Sequence, residues 1–269
     1  MAFAIGFPAI DPVLIEIGPI VIRWYALAYL AGLLLGWRMM IRLAESADGP
    51  VTVQDADDFL VWATFGVIIG GRIGYVIFYK PGAYIDDPLS ILAVWQGGMS
   101  FHGGIIGVIV TAWWFSRRRA LPLLSFGDMI ARVAPIGLFF GRIANFINGE
   151  LYGRVTDVPW AMAFPMGGPE PRHPSQLYEA LLEGLVLFIV LNLLARSDWV
   201  RARSGFLIGV FLVGYGAARS FVEFFRQPDA HIGFIGGFIT MGQILSIPMI
   251  LAGIAFILYA VKRAKNRQS

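Results

Sequence analysis

Cysteine is absent from all 269 residues. That excludes disulfides, a thiol nucleophile and cysteine-based metal sites, so any thiol chemistry here must use a thiol that another molecule brings. Charge is scarce as well: 14% of the residues are charged, against about 25% in an ordinary soluble domain. Histidine is rare, and His102, His173 and His231 do not stand at metal-ligand spacing, which argues against a metal centre. No linker or basic tail marks a second domain, so residues 1–269 read as one integral membrane domain. The formal charge of +3 says little about nucleic acid, because the basic residues lie beside apolar segments. No nucleic-acid partner is expected.

What the chain has in quantity is apolar surface, at 57% hydrophobic residues in recurring runs of bilayer length. This predicts an all-α polytopic membrane protein. Seven spans are expected, at about 18–40, 58–79, 98–116, 123–147, 176–195, 206–225 and 238–261. The first segment lacks a basic n-region and a small-residue cleavage site, so it reads as a retained helix rather than a signal peptide. Helix association in lipid depends on small residues at the interfaces. Gly66, Gly70 and Gly74 share one face of span two, and Gly32/Gly36, Gly103/Gly107 and Gly137/Gly141 repeat the spacing. Tight packing of the spans follows.

Lys and Arg set the orientation. Arg38, Arg42, Arg117, Arg118, Arg119, Arg196, Arg201, Arg203, Lys262, Arg263, Lys265 and Arg267 collect on one side, 12 of the 21 basic residues, and mark it as cytoplasmic. The C-terminus is then inside and the N-terminus outside. The longest outer connection, about 148–175, is rich in Gly and Pro, and Trp160–Phe164 reads as a short strand in a small extracytoplasmic head.

The other basic residues are Arg23, Arg72, Lys80, Arg132, Arg142, Arg154, Arg172, Arg219 and Arg226. Depth assigned from this topology puts Arg23 and Tyr25 at the outer start of span one, Arg72 in the outer half of span two, and His102 at the outer mouth of span three. Arg142 and Asn145 close span four, Glu179 and Glu183 open span five, and Arg219, Glu223 and Arg226 close span six. Only Arg132 falls in an inner half. Polar groups from six helices therefore meet in the outer leaflet. Several arginines there imply an anionic ligand, and phosphate suits both the membrane and the guanidinium fork. The competing reading is a set of structural ion pairs, with Arg219 and Glu223 paired at i,i+4 and end residues snorkelling to the interface. His102 stands in the glycine-rich entry 97–104 and is open to two readings, a hydrogen-bonding interface residue or a catalyst. His173-Pro-Ser-Gln-Leu-Tyr-Glu179 reads as a helix start with Pro174 in the first turn, and His231 as a solvated loop residue.

The densest polar segment inside an apolar run is Gly141-Arg-Ile-Ala-Asn-Phe-Ile-Asn-Gly-Glu-Leu-Tyr-Gly153. It matches, position for position, the pattern Gly-Arg-x-x-Asn-Phe-x-Asn-x-Glu-x-x-Gly. Further matches occur at Trp24-Tyr25, Gly70-Gly-Arg72, Ser100-Phe-His-Gly-Gly104, His173 to Glu179, and Tyr215 through Arg219 to Glu223-Phe-Phe-Arg-Gln-Pro228. On these residues the chain resembles the prolipoprotein diacylglyceryl transferases along nearly its whole length.

The resemblance implies an enzyme of the bacterial plasma (inner) membrane with its site toward the periplasmic leaflet. It implies transfer of the diacylglyceryl group of phosphatidylglycerol to the lipobox cysteine thiol of a prolipoprotein, beside its signal peptide, with release of glycerol 1-phosphate. For that reaction His102 is an adequate general base, the alternative being a thiolate that forms beside the cationic site with no dedicated base, and Arg142 and Arg219 would clamp the phosphate. Tyr25, Arg72, Asn145, Asn148, Glu150, Gly153, Tyr215, Glu223 and Arg226 would serve substrate binding. Asn145 would hold headgroup hydroxyls, and Glu150 and Glu223 would orient the arginines. No metal or organic cofactor is called for, since the donor lipid arrives activated. A phospholipid transporter or scramblase is the rival, but it needs polar groups at all depths, and the inner half offers little beyond Arg132 and Asp128. An intramembrane protease lacks a serine–histidine or paired-aspartate set.

Overall fold

The computed structural model describes residues 5–8, 10–11, 13–18, 20–46, 49–78, 87–94, 97–228 and 233–266. Lys80, His231 and Arg267 lie outside the described residues. The long helices are α1 (Trp24–Ala44), α2 (Val53–Phe78), α3 (Phe101–Arg118), α4 (Leu123–Ile147), α5 (Ser175–Leu194), α6 (Phe206–Val222) and α7 (Met241–Lys265). Of these, α1, α2, α4, α5 and α7 are long and apolar enough to cross a membrane, which makes this a multi-pass membrane protein. Large apolar side chains face outward as a lipid-contacting surface requires; Leu251 and Leu258 on α7 are 61% and 64% exposed.

The first helix starts later than the hydrophobic run suggests. Val13–Ile17 (β2) and Ile20–Arg23 (β3) form an antiparallel hairpin, in which Val13 pairs with Arg23 and Ile17 with Ile20. Gly18 makes the turn at φ +57°. β-Branched Val and Ile favour strands, and an apolar run by itself does not distinguish strand from helix. Arg23 accordingly closes a strand and Trp24 opens the helix.

The chain divides into two compact units, 39–127 and the combination of 1–38 with 128–269. In the first, α2 and α3 pack backbone to backbone. A Cβ on Gly66, Gly70 or Gly74 would run into α3 at Gly103, Gly107 or Ser100. The glycine face of span two and the pair on span three therefore meet each other. Phe59, Phe115 and Phe126 are buried beside this seam and stack at 4.9–6.1 Å.

In the second unit, a Cβ on Gly32 of α1 would sit 3.3 Å from the Cα of Gly137 on α4, and one on Gly36 would sit 3.1 Å from Val133. Gly209 of α6 faces Gly253 of α7 in the same manner. Leu187, Leu191, Leu207 and Tyr215 form the core between α5 and α6. At the far end of this unit Asp128 accepts hydrogen bonds from the backbone of Gly205 (2.6 Å) and Ile208 (2.8 Å), capping α6. Arg132 donates to Asn192 at 3.1 Å. A second small sheet joins Ile5–Gly6 (β1) in parallel to Met162–Ala163 (β4), within the segment where a strand is expected.

Candidate active site

Charged side chains from α4, α5 and the end of α6 form one cluster. Arg142 donates through Nε and Nη2 to Glu183 Oε2 at 3.3 and 3.1 Å, and its Nη1 lies 3.3 Å from Glu179 Oε2. Arg219 donates Nη1 to Glu179 Oε1 and pairs through Nη2 with Glu223. Arg226 donates Nη1 to the same Glu179 oxygen at 3.2 Å, with Nε 3.8 Å from Glu223. Glu179 and Glu183 are 0% exposed. A buried carboxylate is costly unless opposite charge compensates it; here the arginines supply that charge, with hydrogen bonds to Glu179 Oε1 and Glu183 Oε2, while Glu179 Oε2 and Glu183 Oε1 accept none. Immediately after Glu179 the backbone of α5 widens into a π-helical stretch at Ala180–Val186, a form that is rare and concentrated at functional sites.

The sequence reading leaves Arg142 in need of an anionic or strongly polar partner. The structure supplies two internal ones from α5. The sequence places Glu179 and Glu183 at the opening of span five, among the polar groups that meet in the outer leaflet, but does not mark them as the partners of the arginines. The signal was present: two carboxylates four residues apart at the head of an apolar run are expensive in a membrane and imply nearby cations.

The segment after α4 packs against the start of α5. Gly149 takes φ +67° and Leu151 φ +59°, turning the chain out of the helix. Glu150 N–H donates to the Asn145 carbonyl at 3.1 Å, and Asn148 Nδ2 donates to Glu150 Oε1 at 3.3 Å. From α5, Gln176 Nε2 donates to the Glu150 carbonyl at 2.6 Å and Ser175 Oγ to the Leu151 carbonyl at 3.0 Å. Gly153 N–H donates to the His173 carbonyl at 2.8 Å. A Cβ on Gly153 would lie 2.6 Å from both the His173 and Phe225 carbonyl oxygens, so three backbone segments close on this residue. Phe7, Phe146, Tyr152 and Phe164 stack over the turn at 5.2–6.2 Å.

Tyr25, one residue into α1, lies within electrostatic reach of Glu150 and Arg142. Tyr215 is buried on α6 beside Glu183, Arg142 and Arg219. A small cavity borders the cluster, lined by Arg219, Glu223, Arg226, Pro228, Thr240 and Gly242. Gly242 makes room for Glu223: a Cβ there would sit 2.7 Å from that side chain's Cδ. Arg154 braces the end of α6 from outside, donating to the carbonyls of Arg226 (3.0 Å) and Glu223 (2.9 Å).

Arg72 and His102 belong to the 39–127 unit. Arg72 is 4% exposed and donates to the carbonyls of Ser90, Ile91, Gly97 and Gly98 at 2.6–3.2 Å, tying the connection between α2 and α3 to α2. His102 is exposed in the first turn of α3, two residues beyond the N-cap Ser100, whose side chain accepts from Gly103 N–H at 3.2 Å.

The family described as prolipoprotein diacylglyceryl transferase matches residues 12–259. The chain belongs to this family. It is 61% identical over 264 residues to the phosphatidylglycerol–prolipoprotein diacylglyceryl transferase of Paramagnetospirillum magneticum, covering 98% of both chains. It is 60% identical to the protein of that name from Rhodospirillum rubrum, covering 98% of this chain and 97% of the relative. For the Azospirillum brasilense protein the identity is 58%, with 97% and 98% covered.

Within this transferase, arginines 142, 219 and 226 are balanced in formal charge by glutamates 179, 183 and 223. Such a cluster keeps three guanidinium groups in apolar surroundings by pairing them with carboxylates.

Proposed function

We propose that this chain transfers the diacylglyceryl group of phosphatidylglycerol to the lipobox cysteine thiol of a prolipoprotein. The observation that carries the reading is the arginine–glutamate cluster on α4, α5 and α6, in a member of the diacylglyceryl transferase family. The thiol sulfur attacks the glycerol carbon that bears the phosphate ester. The carbon–oxygen bond breaks, its electron pair leaves with the phosphate, and a thioether and glycerol 1-phosphate result. The phosphodiester carries one negative charge and the departing monoester gains a second, so cations placed at that phosphate favour the transition state over the ground state. Arg142 and Arg219 fill this role, with Arg226 beside them. Tyr25, Asn145, Asn148, Glu150 and Tyr215 lie close to or in sequence around that cluster and complete the substrate pocket.

The thiol proton goes to His102. An imidazole is the side chain best suited to accept a proton near neutral pH, which makes it an adequate general base for a thiol. Exposure of His102 at the first turn of α3 suits a base that meets an incoming peptide. Arg72 holds the backbone that leads into α3, the helix that carries His102.

All seven helices cross the inner membrane in this reading, with the N-terminus and the cluster toward the periplasm. At a rise of 1.5 Å per residue, the 18 residues of α3 and 17 of α6 span about 27 and 26 Å, close to the hydrocarbon thickness of about 30 Å. The basic ends Arg38/Arg42, Arg117–Arg119 and Lys262–Lys265 support the orientation.

The test is direct. Purified protein is mixed with phosphatidylglycerol and a lipobox peptide, and mass spectrometry follows the diacylglyceryl adduct on the peptide cysteine. Phosphatidylethanolamine as sole lipid should give no adduct; equal turnover with it would overturn the assignment of the donor.

A further inference from the structure

We propose that Glu179 is the positioning residue of the arginine clamp, holding Arg142, Arg219 and Arg226 in one rigid unit without itself touching substrate. This rests on the reading above that Arg142 and Arg219 hold the donor phosphate. The geometry points to Glu179 rather than to its acidic neighbours. Among the described residues Glu183 pairs with Arg142, and Glu223 with Arg219 and more distantly Arg226. Glu179 alone among the three contacts every guanidinium in the cluster, and in each case through the same atom, Nη1. A guanidinium carries five N–H donors in a planar fork, so a carboxylate at Nη1 anchors one arm of each fork and leaves the other donors for other acceptors, as Arg142 uses Nε and Nη2 on Glu183.

Position in the fold separates anchoring from catalysis. Glu223 lines the cavity beside the cluster, whereas Glu179 is 0% exposed and does not line it. Glu179 also closes the first turn of α5, whose earlier residues Ser175 and Gln176 hold the carbonyls of Leu151 and Glu150. One helix start therefore fixes both the turn after α4 and the three arginines. Neutralising Glu179 leaves three guanidiniums facing two carboxylates. That excess positive charge keeps an anionic lipid bound while mutual repulsion splays the forks. A misplacement near 1 Å is enough to cost about 10²-fold in rate.

The experiment compares kcat and KM for phosphatidylglycerol in the parent, Glu179→Gln and Glu179→Asp, with folded protein quantified by monodisperse chromatography in detergent. Positioning predicts a kcat about 10²-fold lower in Glu179→Gln with KM unchanged or lower, because charge for binding is retained and alignment is lost. Glu179→Asp keeps the charge but withdraws the carboxylate by one methylene, and an intermediate kcat is expected. If the Gln variant does not accumulate, the Asp variant decides: kcat equal to the parent overturns the proposal. So does a Gln variant whose rate loss matches its loss of folded protein, or whose KM rises with kcat unchanged. An inactive parent would instead count against the transfer reaction itself.

Discussion

Arg142 on α4 and Glu183 on α5 meet at two points, with Nε and Nη2 both donating to one carboxylate oxygen at 3.3 and 3.1 Å. The pair leaves the plane of this guanidinium little rotational freedom, and Glu179 holds its remaining Nη1 at 3.3 Å. A charge on an apolar helix is thereby converted into an oriented donor set.

Replacing Arg142 or Arg219 by Lys keeps a positive charge but removes the planar fork. Loss of one charge-stabilising donor set typically lowers kcat by about 10²–10³-fold, and that range is expected for either variant. Turnover per folded molecule is the measurement. Near-parental rates in both would return these arginines to a purely structural role.

His102→Gln removes the proton acceptor from an exposed position. A general base contributes about 10²–10⁴-fold, and raising the pH should recover part of the loss as the peptide thiol ionises in solution. Arg142 and Arg219 variants should show no such recovery. A pH–rate profile under conditions where chemistry limits turnover reads the difference; activity close to the parent near neutral pH would remove His102 from the mechanism.

Gly153→Ala forces a methyl group against the His173 and Phe225 carbonyls. Overpacking of this kind costs about 1–3 kcal/mol, so a clear drop in thermal midpoint is expected. Gly137→Ala is the control, since nothing lies within 4 Å of a Cβ there. Equal midpoints for the two variants would contradict the close approach of the three backbone segments.

His173, just ahead of α5, hydrogen-bonds Tyr178 Oη through Nδ1 at 3.1 Å, and burial lowers its pKa from the ordinary 6.5. The folded state therefore disfavours the imidazolium. The associated stability is fully present above the unfolded value and is lost as pH falls below about 6.5, where only the unfolded chain gains a proton readily. Thermal midpoints measured from pH 7.5 to 5.5 should decline less in His173→Gln than in the parent. An identical decline would show that other groups carry the pH dependence.

Much of the architecture was legible because a bilayer enforces it. Apolar length and the need to satisfy every backbone group internally leave a helix as the default, and glycine spacing marks the faces that meet, as Gly66/Gly70 and Gly103/Gly107 do. The β2–β3 hairpin escaped this reading because Val and Ile are equally apolar in strand and helix. The signature from Gly141 to Gly153 was visible as polar residues where lipid would reject them. Gly153, read from the sequence as a substrate residue, is placed by the structure where three backbones converge, a requirement that only long-range contact reveals.

By itself the sequence determined the family, the helical membrane class and the presence of arginines that apolar surroundings could not leave unpartnered. Only the tertiary structure decided who the partners are. Glu179 lies 37 residues from Arg142 and 40 from Arg219 along the chain, and no local pattern encodes such a distance. Packing of α5 beside α4 and α6 brings one carboxylate into contact with three guanidiniums, because a buried charge is tolerable only where opposite charges from other elements converge on it.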